Sequence, residues 1–135
     1  AGPGGAPRGL TANAVSSVSL DPPLVLVCVE RVADTHDVIE TTGAFAISIL
    51  AGEDEALARR FATYPTEEKF DGVAYRRAST GAPVLEDALG WIDCRVWAAY
   101  DGGDHTIFVG EVVDGDAGGG APLLYFRGGY GRLSR

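Results

Sequence analysis

The amino-acid sequence predicts a mainly β domain, an antiparallel barrel or sandwich with two short helices. Strand-like runs are short and lie between frequent turn signals, only two segments carry helical periodicity, and residues 91–113 hold a clear hairpin pattern. Such spacing argues against alternating βαβ units, and no internal repeat is visible.

Residues 1–9 (AGPGGAPRG) are dense in Gly and Pro and read as a loop or the outer part of a hairpin turn. Residues 24–29 (LVLVCV) lack a polar face, so they predict a central strand buried on both sides. Asp21, Pro22 and Pro23 before them keep any helix from crossing the junction. Asp34 is placed to cap a short helix reaching Thr42, with Gly43 where a left-handed residue would end it. His36, in the first turn of that helix, reads as a surface residue. AFAISIL, from Ala44, resumes strand character. In residues 53–62 (EDEALARRFA), Leu57 and Phe61 stand four apart, acids lead and Arg59 and Arg60 follow. That order suits a surface amphipathic helix and its dipole. The second half predicts strands over 73–76, 83–85, 90–100, 106–114 and 122–127. Turn residues separate them at 101–104 (DGGD) and 114–120 (DGDAGGG), and 115–122 reads as a flexible loop. Trp91, Trp97, Phe108 and Tyr125 are expected in the barrel core.

At 135 residues and 46% hydrophobic composition the chain is long enough for one packed domain and too short for two. Its longest apolar run, 22–29, falls far short of the roughly 18 residues of a membrane span. The N-terminus lacks the cationic start of a signal peptide, so the expected compartment is the cytoplasm. With no Met in the chain, Ala1 is not expected to be its natural start. A net charge of −8 with scattered basic residues argues against nucleic acid as a partner. Cys28 and Cys94 sit in apolar runs without C-x-x-C spacing and read as free buried thiols. His36 with Asp34 and Asp37 does not make a metal site, because adjacent helical positions point apart; no metal is expected.

The stretch GLTANAVSSVSLDPPLVLVCVER, residues 9–31, places small and hydroxylated residues directly before the apolar strand. Small residues let a ligand approach the backbone, and hydroxyl and amide groups at a strand edge can hold a phosphate or a flat heteroaromatic ring. The same residues equally fit the polar face of an exposed strand, and no glycine-rich phosphate fingerprint is present.

This stretch, together with GDHTIFVGEVVD at 103–114 and PLLYFRGGYGRL at 122–133, resembles the flavin reductase-like family, the reductase components of two-component flavin-dependent monooxygenases. The three motifs follow the family's order and spacing over essentially the whole chain. The resemblance implies an FMN-binding split barrel of Greek-key type and a homodimer with flavin near the subunit interface. It also implies that NADH or NADPH reduces FMN or FAD and that reduced flavin passes to an oxygenase partner. Relatives carry a further strand and helix ahead of Ala1's position, so a single domain over 1–135 lacking those elements is implied.

Carried over residue by residue, the resemblance sets Thr11, Ala12, Asn13, Ala14 and Val15 along the flavin ring edge, where amides can meet developing negative charge. Ser16, Ser17 and Val18 would follow the ribityl chain and phosphate. Arg31, Val32, Ala33 and Thr35 would form a second wall near the phosphate, Arg31 offering the fork that phosphate favours. Glu30 stands where the family usually has Asn. Lys69 and Phe70 match a basic-aromatic pair near the flavin, and Tyr130 a tail segment over the nicotinamide side. His105, in Gly-Asp-His, matches the nicotinamide-site feature and is assigned the catalytic role of orienting nicotinamide or a flavin carbonyl. Without the family, His105 reads as a turn residue bonded to Asp104. A flavin carrier or a flavin-dependent oxidase on the same barrel is the competing expectation.

Overall fold

The structure, a computed structural model, describes residues 5–132. Among these, the elements in chain order are β1 (Val15–Leu20), β2 (Pro23–Glu30), α1 (Asp34–Thr42), β3 (Ala44–Ile49), α2 (Glu55–Thr63), a 3₁₀ turn (Thr66–Glu68), β4 (Tyr75–Arg77), β5 (Pro83–Leu85), β6 (Gly90–Gly102), β7 (His105–Ala117), β8 (Leu123–Phe126) and β9 (Gly129–Arg132). The loop expected over 1–9 is described from Gly5 onward, without regular structure.

A five-stranded antiparallel sheet of order β1-β2-β7-β6-β3 forms the body, with β4-β5 and β8-β9 as separate hairpins. Because β2 pairs with β7, the chain must pass through α1 to reach β3 at the far edge of the sheet. The end of β3 then reaches toward β8: the Gly52 amide donates to Ala121 O at 2.9 Å and the Leu123 amide to Leu50 O at 2.9 Å. These bonds close part of the rim and leave the rest open, which is the split barrel expected from the sequence.

The core gathers Val27 and Val29 of β2, Ile39 of α1, Phe45 of β3, Cys94 of β6 and Phe108 of β7. Full burial of one such side chain contributes about 1.5–3 kcal/mol. Strand alternation explains why only half of the LVLVCV run is there. Val27 and Val29 point into the core, whereas Leu24, Leu26 and Cys28 face the other way and are only partly buried, so the expectation of burial on both sides holds for one side. Both thiols are free; burial pushes that of Cys94 up to about 12, with the Asp93 charge adding to it.

α1 begins at Asp34, not after it: Ala33, with extended dihedrals, is the cap residue, and Asp34 accepts a hydrogen bond from the Thr66 hydroxyl at 2.6 Å instead. Gly43 ends the helix at φ 69°, its amide bonded to Ile39 O, as the sequence predicts. His36 departs from its expected surface position. It is 5% exposed, shares a 2.7 Å hydrogen bond between Nε2 and Thr106 Oγ1, and packs 5.4 Å from the Phe108 ring. α2 starts two residues later than expected and buries Ala58 and Phe61.

β6 and β7 are longer than the sequence indicated, and both carry irregularities between Asp93/Cys94 and Val96/Ala98. The second bulge lifts Trp97 out of register and leaves it 56% exposed; Tyr125 is 50% exposed, so neither belongs to the core, while Phe108 does. β9 was not expected. Its turn places Arg127 and Gly128 at φ 53° and 76°, and Arg is an unusual choice for a left-handed position. Asp93 is fully buried and accepts two bonds from Thr80, one from its amide at 3.0 Å and one from its hydroxyl at 2.5 Å, tying the β4–β5 turn to the sheet.

Gly110 of β7 lies under the core: a Cβ there would come 2.5 Å from Phe45 Cζ and 2.8 Å from Cys94 Cβ. Gly110→Ala is therefore expected to lower stability by about 1–3 kcal/mol, read as a shift of the urea midpoint. A midpoint equal to that of the parent protein would show that Phe45 moves aside freely.

Candidate functional site

The curl of the sheet leaves a groove of about 610 Å³ between β3 and the 8–13 loop, a volume usual for small-molecule sites. Its floor is β3 with Val27 and Val29 of β2; Thr35 and Ile39 of α1 and Ala58 and Phe61 of α2 enclose the sides; Tyr125 and Tyr130 of the β8–β9 hairpin stand at one end.

The 8–13 loop is a wall made mainly of main chain and is pinned from behind. The Thr11 hydroxyl donates to Ala58 O at 2.5 Å, the Lys69 ammonium to Gly9 O at 3.0 Å, and the Cys28 amide to Ala14 O at 3.0 Å. At Gly9 a Cβ would approach the Phe61 ring to 3.2 Å, so the loop sits close on α2 and a larger residue there would have to push that ring back by a few tenths of an ångström. Among the described residues, the exposed amides of Ala12 and Asn13 meet no acceptor. β1 continues this wall as the edge strand of the sheet, so its outward amides and carbonyls are free of ladder bonds.

The aromatic residues around the groove brace one another. Phe70 meets Phe61 edge-on at 4.9 Å and Tyr75 at 5.0 Å, Tyr125 meets Tyr130 at 5.2 Å, and the Arg59 guanidinium lies 4.9 Å over the Tyr130 ring. Apolar walls, aromatic edges and unclaimed main-chain donors fit a flat heteroaromatic ring such as a flavin's.

A second cluster forms at the tip of the β6–β7 hairpin, outside the lining of the groove. Arg31 is tied to it by three bonds: its amide to Asp104 O at 2.9 Å, Nε to Gly103 O at 3.0 Å, and Nη2 to Asp101 Oδ1 at 2.7 Å. His105 Nδ1 and Asp104 Oδ1 share a 2.7 Å bond. Hydrogen bonding from Arg31, helped by the Gly103 amide, holds the Asp101 carboxyl below the usual carboxylate range, and the bond with His105 does the same for Asp104.

Of the residues singled out in the sequence, Thr11, Ala12, Asn13, Val15, Thr35, Phe70 and Tyr130 line the groove together. Ala14 adjoins them through its bond from Cys28. Ser16, Ser17 and Val18 run on along the exposed edge of β1. Arg31, Val32 and Ala33 form the β2–α1 turn, Val32 being 89% exposed, and His105 lies at the hairpin tip. Lys69 sits behind the wall, its pKa held below the usual lysine value by burial, which the Asp34 charge offsets only in part. The sequence did not single out Phe61, Arg59 or the β3 floor. Those residues read as an ordinary helix stripe and strand, and only their position around the groove distinguishes them.

The fold is a split barrel with a main-chain-walled groove, a shape suited to a flat organic ligand. Residues 1–134 match the family described as Flavin reductase like domain, and the chain belongs to that family. It is 44% identical to the reductase component of the 4-nitrophenol 4-monooxygenase/4-nitrocatechol 2-monooxygenase of Rhodococcus opacus over 129 residues, covering 96% of this chain and 69% of the relative. It is 43% identical to an NADH-dependent FAD reductase of Streptomyces globisporus over 114 residues, covering 82% of this chain and 63% of the relative. The solved NADH:FAD oxidoreductase of Streptomyces globisporus C-1027, in complex with NAD and FAD fragments, superposes with a TM-score of 0.90 at 38% identity, covering 96% of this chain and 80% of that one. The chain thus spans about two thirds of the length of these curated relatives.

The Asp101 carboxyl loses its partner as it protonates. Its folded pKa is depressed, so the tie to Arg31 is in force above the ordinary carboxylate range and is lost as pH falls through the lowered value. NMR titration is expected to place the Asp101 midpoint below the ordinary aspartate value, and Arg31→Met is expected to raise it toward that value, the Gly103 amide keeping part of the shift; an unmoved midpoint would contradict the tie.

Proposed function

We propose that this chain is a NAD(P)H:flavin oxidoreductase that binds FMN or FAD in the groove and supplies reduced flavin to a partner monooxygenase in the cytoplasm. The observation that carries the reading is the groove itself: an apolar, aromatic-edged cleft with the main-chain amides of Ala12 and Asn13, among the described residues, unclaimed along one wall. When bound, flavin supplies the hydride acceptor and nicotinamide the hydride donor. The chain's own task is to stack, orient and stabilise charge. Amides of the 11–15 segment stabilise the negative charge that gathers on the ring edge, and the outer edge of β1 with Ser16 and Ser17 runs toward the phosphate. His105, whose Nδ1 is engaged by Asp104, keeps Nε2 for the nicotinamide or a flavin carbonyl. The absence of a nucleophile and base pair in the sequence agrees with chemistry carried by the cofactors.

The experiment is anaerobic. Flavin is mixed with a catalytic amount of the protein, NADH or NADPH is added, and the flavin band at about 450 nm is followed. Rapid bleaching is expected, and His105→Ala should raise the KM for the nicotinamide or slow bleaching while flavin affinity stays. Tight flavin binding without bleaching by either nucleotide would favour a carrier or an oxidase instead.

The protein also acts as a homodimer in this reading. The outer face of the sheet carries Leu24, Leu26 and Cys28, with Ile107 and Val109 of β7 and Ala98 and Tyr100 of β6 beside them by register. Tyr100 is 57% exposed, and Trp97 and Val113 are exposed nearby on the same two strands. An apolar patch of this kind, bordered beside Leu24 by Glu111 and Arg95 and with Val109 already buried, is suited to a second copy of itself. Analytical ultracentrifugation is expected to give a dimer for the parent protein and a folded monomer for Leu26→Glu; a monomeric parent would rule the dimer out.

A further inference from the structure

Lys69 is, with Arg31, one of the two basic residues that the family resemblance places near a flavin, and an ammonium there invites assignment to the phosphate. The structure engages it differently. Its Nζ donates to Gly9 O at 3.0 Å, and while Gly9, Leu10 and Thr11 line the groove, Lys69 does not. The segment that carries it is clamped to α2, because Arg60 Nε donates to Lys69 O at 2.9 Å and Arg60 Nη2 to Glu68 O at 3.0 Å. Phe70, the next residue, packs on Phe61 and comes 3.4 Å from where a Gly9 Cβ would stand. Desolvation disfavours the ammonium here and Asp34, itself held by Thr66, favours it. A charged donor spent on a carbonyl at the back of a wall fixes the wall.

We propose that Lys69 is a positioning residue, whose ammonium holds the 9–13 wall against the groove and thereby sets affinity for the ring portion of the flavin without touching its phosphate. The inference rests on the flavin reading above. A phosphate ligand and a wall support make opposite demands on riboflavin, which has the ring and ribityl chain but no phosphate. Loss of a phosphate ligand weakens FMN alone, whereas loss of the wall's support weakens both.

The test compares the full chain with Lys69→Met and Lys69→Arg, each first checked for an unchanged fold by circular dichroism. Dissociation constants for FMN and riboflavin are measured by fluorescence quenching, and hydrogen exchange of amides 10–13 is followed without ligand. For Lys69→Met, both flavins are expected to bind about tenfold more weakly, a value in line with loss of a charge-assisted hydrogen bond. The ratio of the two affinities should stay unchanged and exchange at 10–13 should quicken. Lys69→Arg, which keeps a donor for Gly9 O, should restore both. At saturating flavin, kcat should match the parent while the KM for flavin rises. Weakening confined to FMN would make Lys69 a phosphate ligand and overturn the proposal, as would unchanged affinity for both flavins. If the parent protein bound neither flavin, the functional reading would fall; unchanged exchange at 10–13 in Lys69→Met would then overturn the pinning itself.

Discussion

The close approach of three strands at Gly110 is the contact on which the rest of the barrel depends. Its missing side chain lets the Phe45 ring from β3 and Cys94 from β6 sit directly against the backbone of β7. Protein interiors are packed nearly as densely as organic crystals, so the space a single methyl group would take has no slack to come from. With Phe45 drawn in, β3 stays seated at the edge of the sheet beside β6, and its residues 44–49 line the groove. The groove is the interior that the barrel leaves open on the side where β3 reaches β8 through only a few main-chain bonds.

Around that opening the chain builds its walls from segments far apart in sequence, each held from outside the cleft. Thr11 reaches α2, Lys69 reaches Gly9, and Arg60 fastens the segment that carries Lys69. Lys69 and Arg60 stay outside the lining of the cleft and Thr11 spends its hydroxyl on a carbonyl of α2, so these polar groups support the wall and make no demand on its main-chain donors. The β6–β7 tip follows the same logic in miniature, with Arg31 joining β2 to the hairpin through three bonds and Asp104 fixing the His105 ring. A binding surface needs this kind of support when it must orient a ring more than it must grip it.

Periodicity made the strands and helices legible because alternation and the 3.6-residue repeat are local properties. Gly43 as a left-handed helix end and the 101–104 turn followed from residue chemistry alone. His36 did not, because its burial comes from Thr106 and Phe108, residues seventy positions away that only folding brings to α1. Trp97 was misread for a related reason: a bulge reverses the side on which an aromatic residue falls, and bulges leave no mark in hydrophobic alternation. The Arg127–Gly128 turn escaped notice since the usual Asn-Gly signal is absent.

The sequence by itself determined the mainly β class, the family, and the residue types available to a flavin, since strand patterning and three ordered motifs survive as strings of letters. The tertiary structure alone decided which of those residues face one cleft. Thr11, Asn13, Thr35, Phe70 and Tyr130 converge on it, and Arg31 and His105 stand at the hairpin tip. It also decided that Lys69 points to a carbonyl, and that Leu24, Leu26 and Cys28 lie on an outer face instead of in the core. The reason is physical: the direction of a side chain depends on register, bulges and the long-range hydrogen bonds that curl a sheet, and none of these is a property of neighbouring residues.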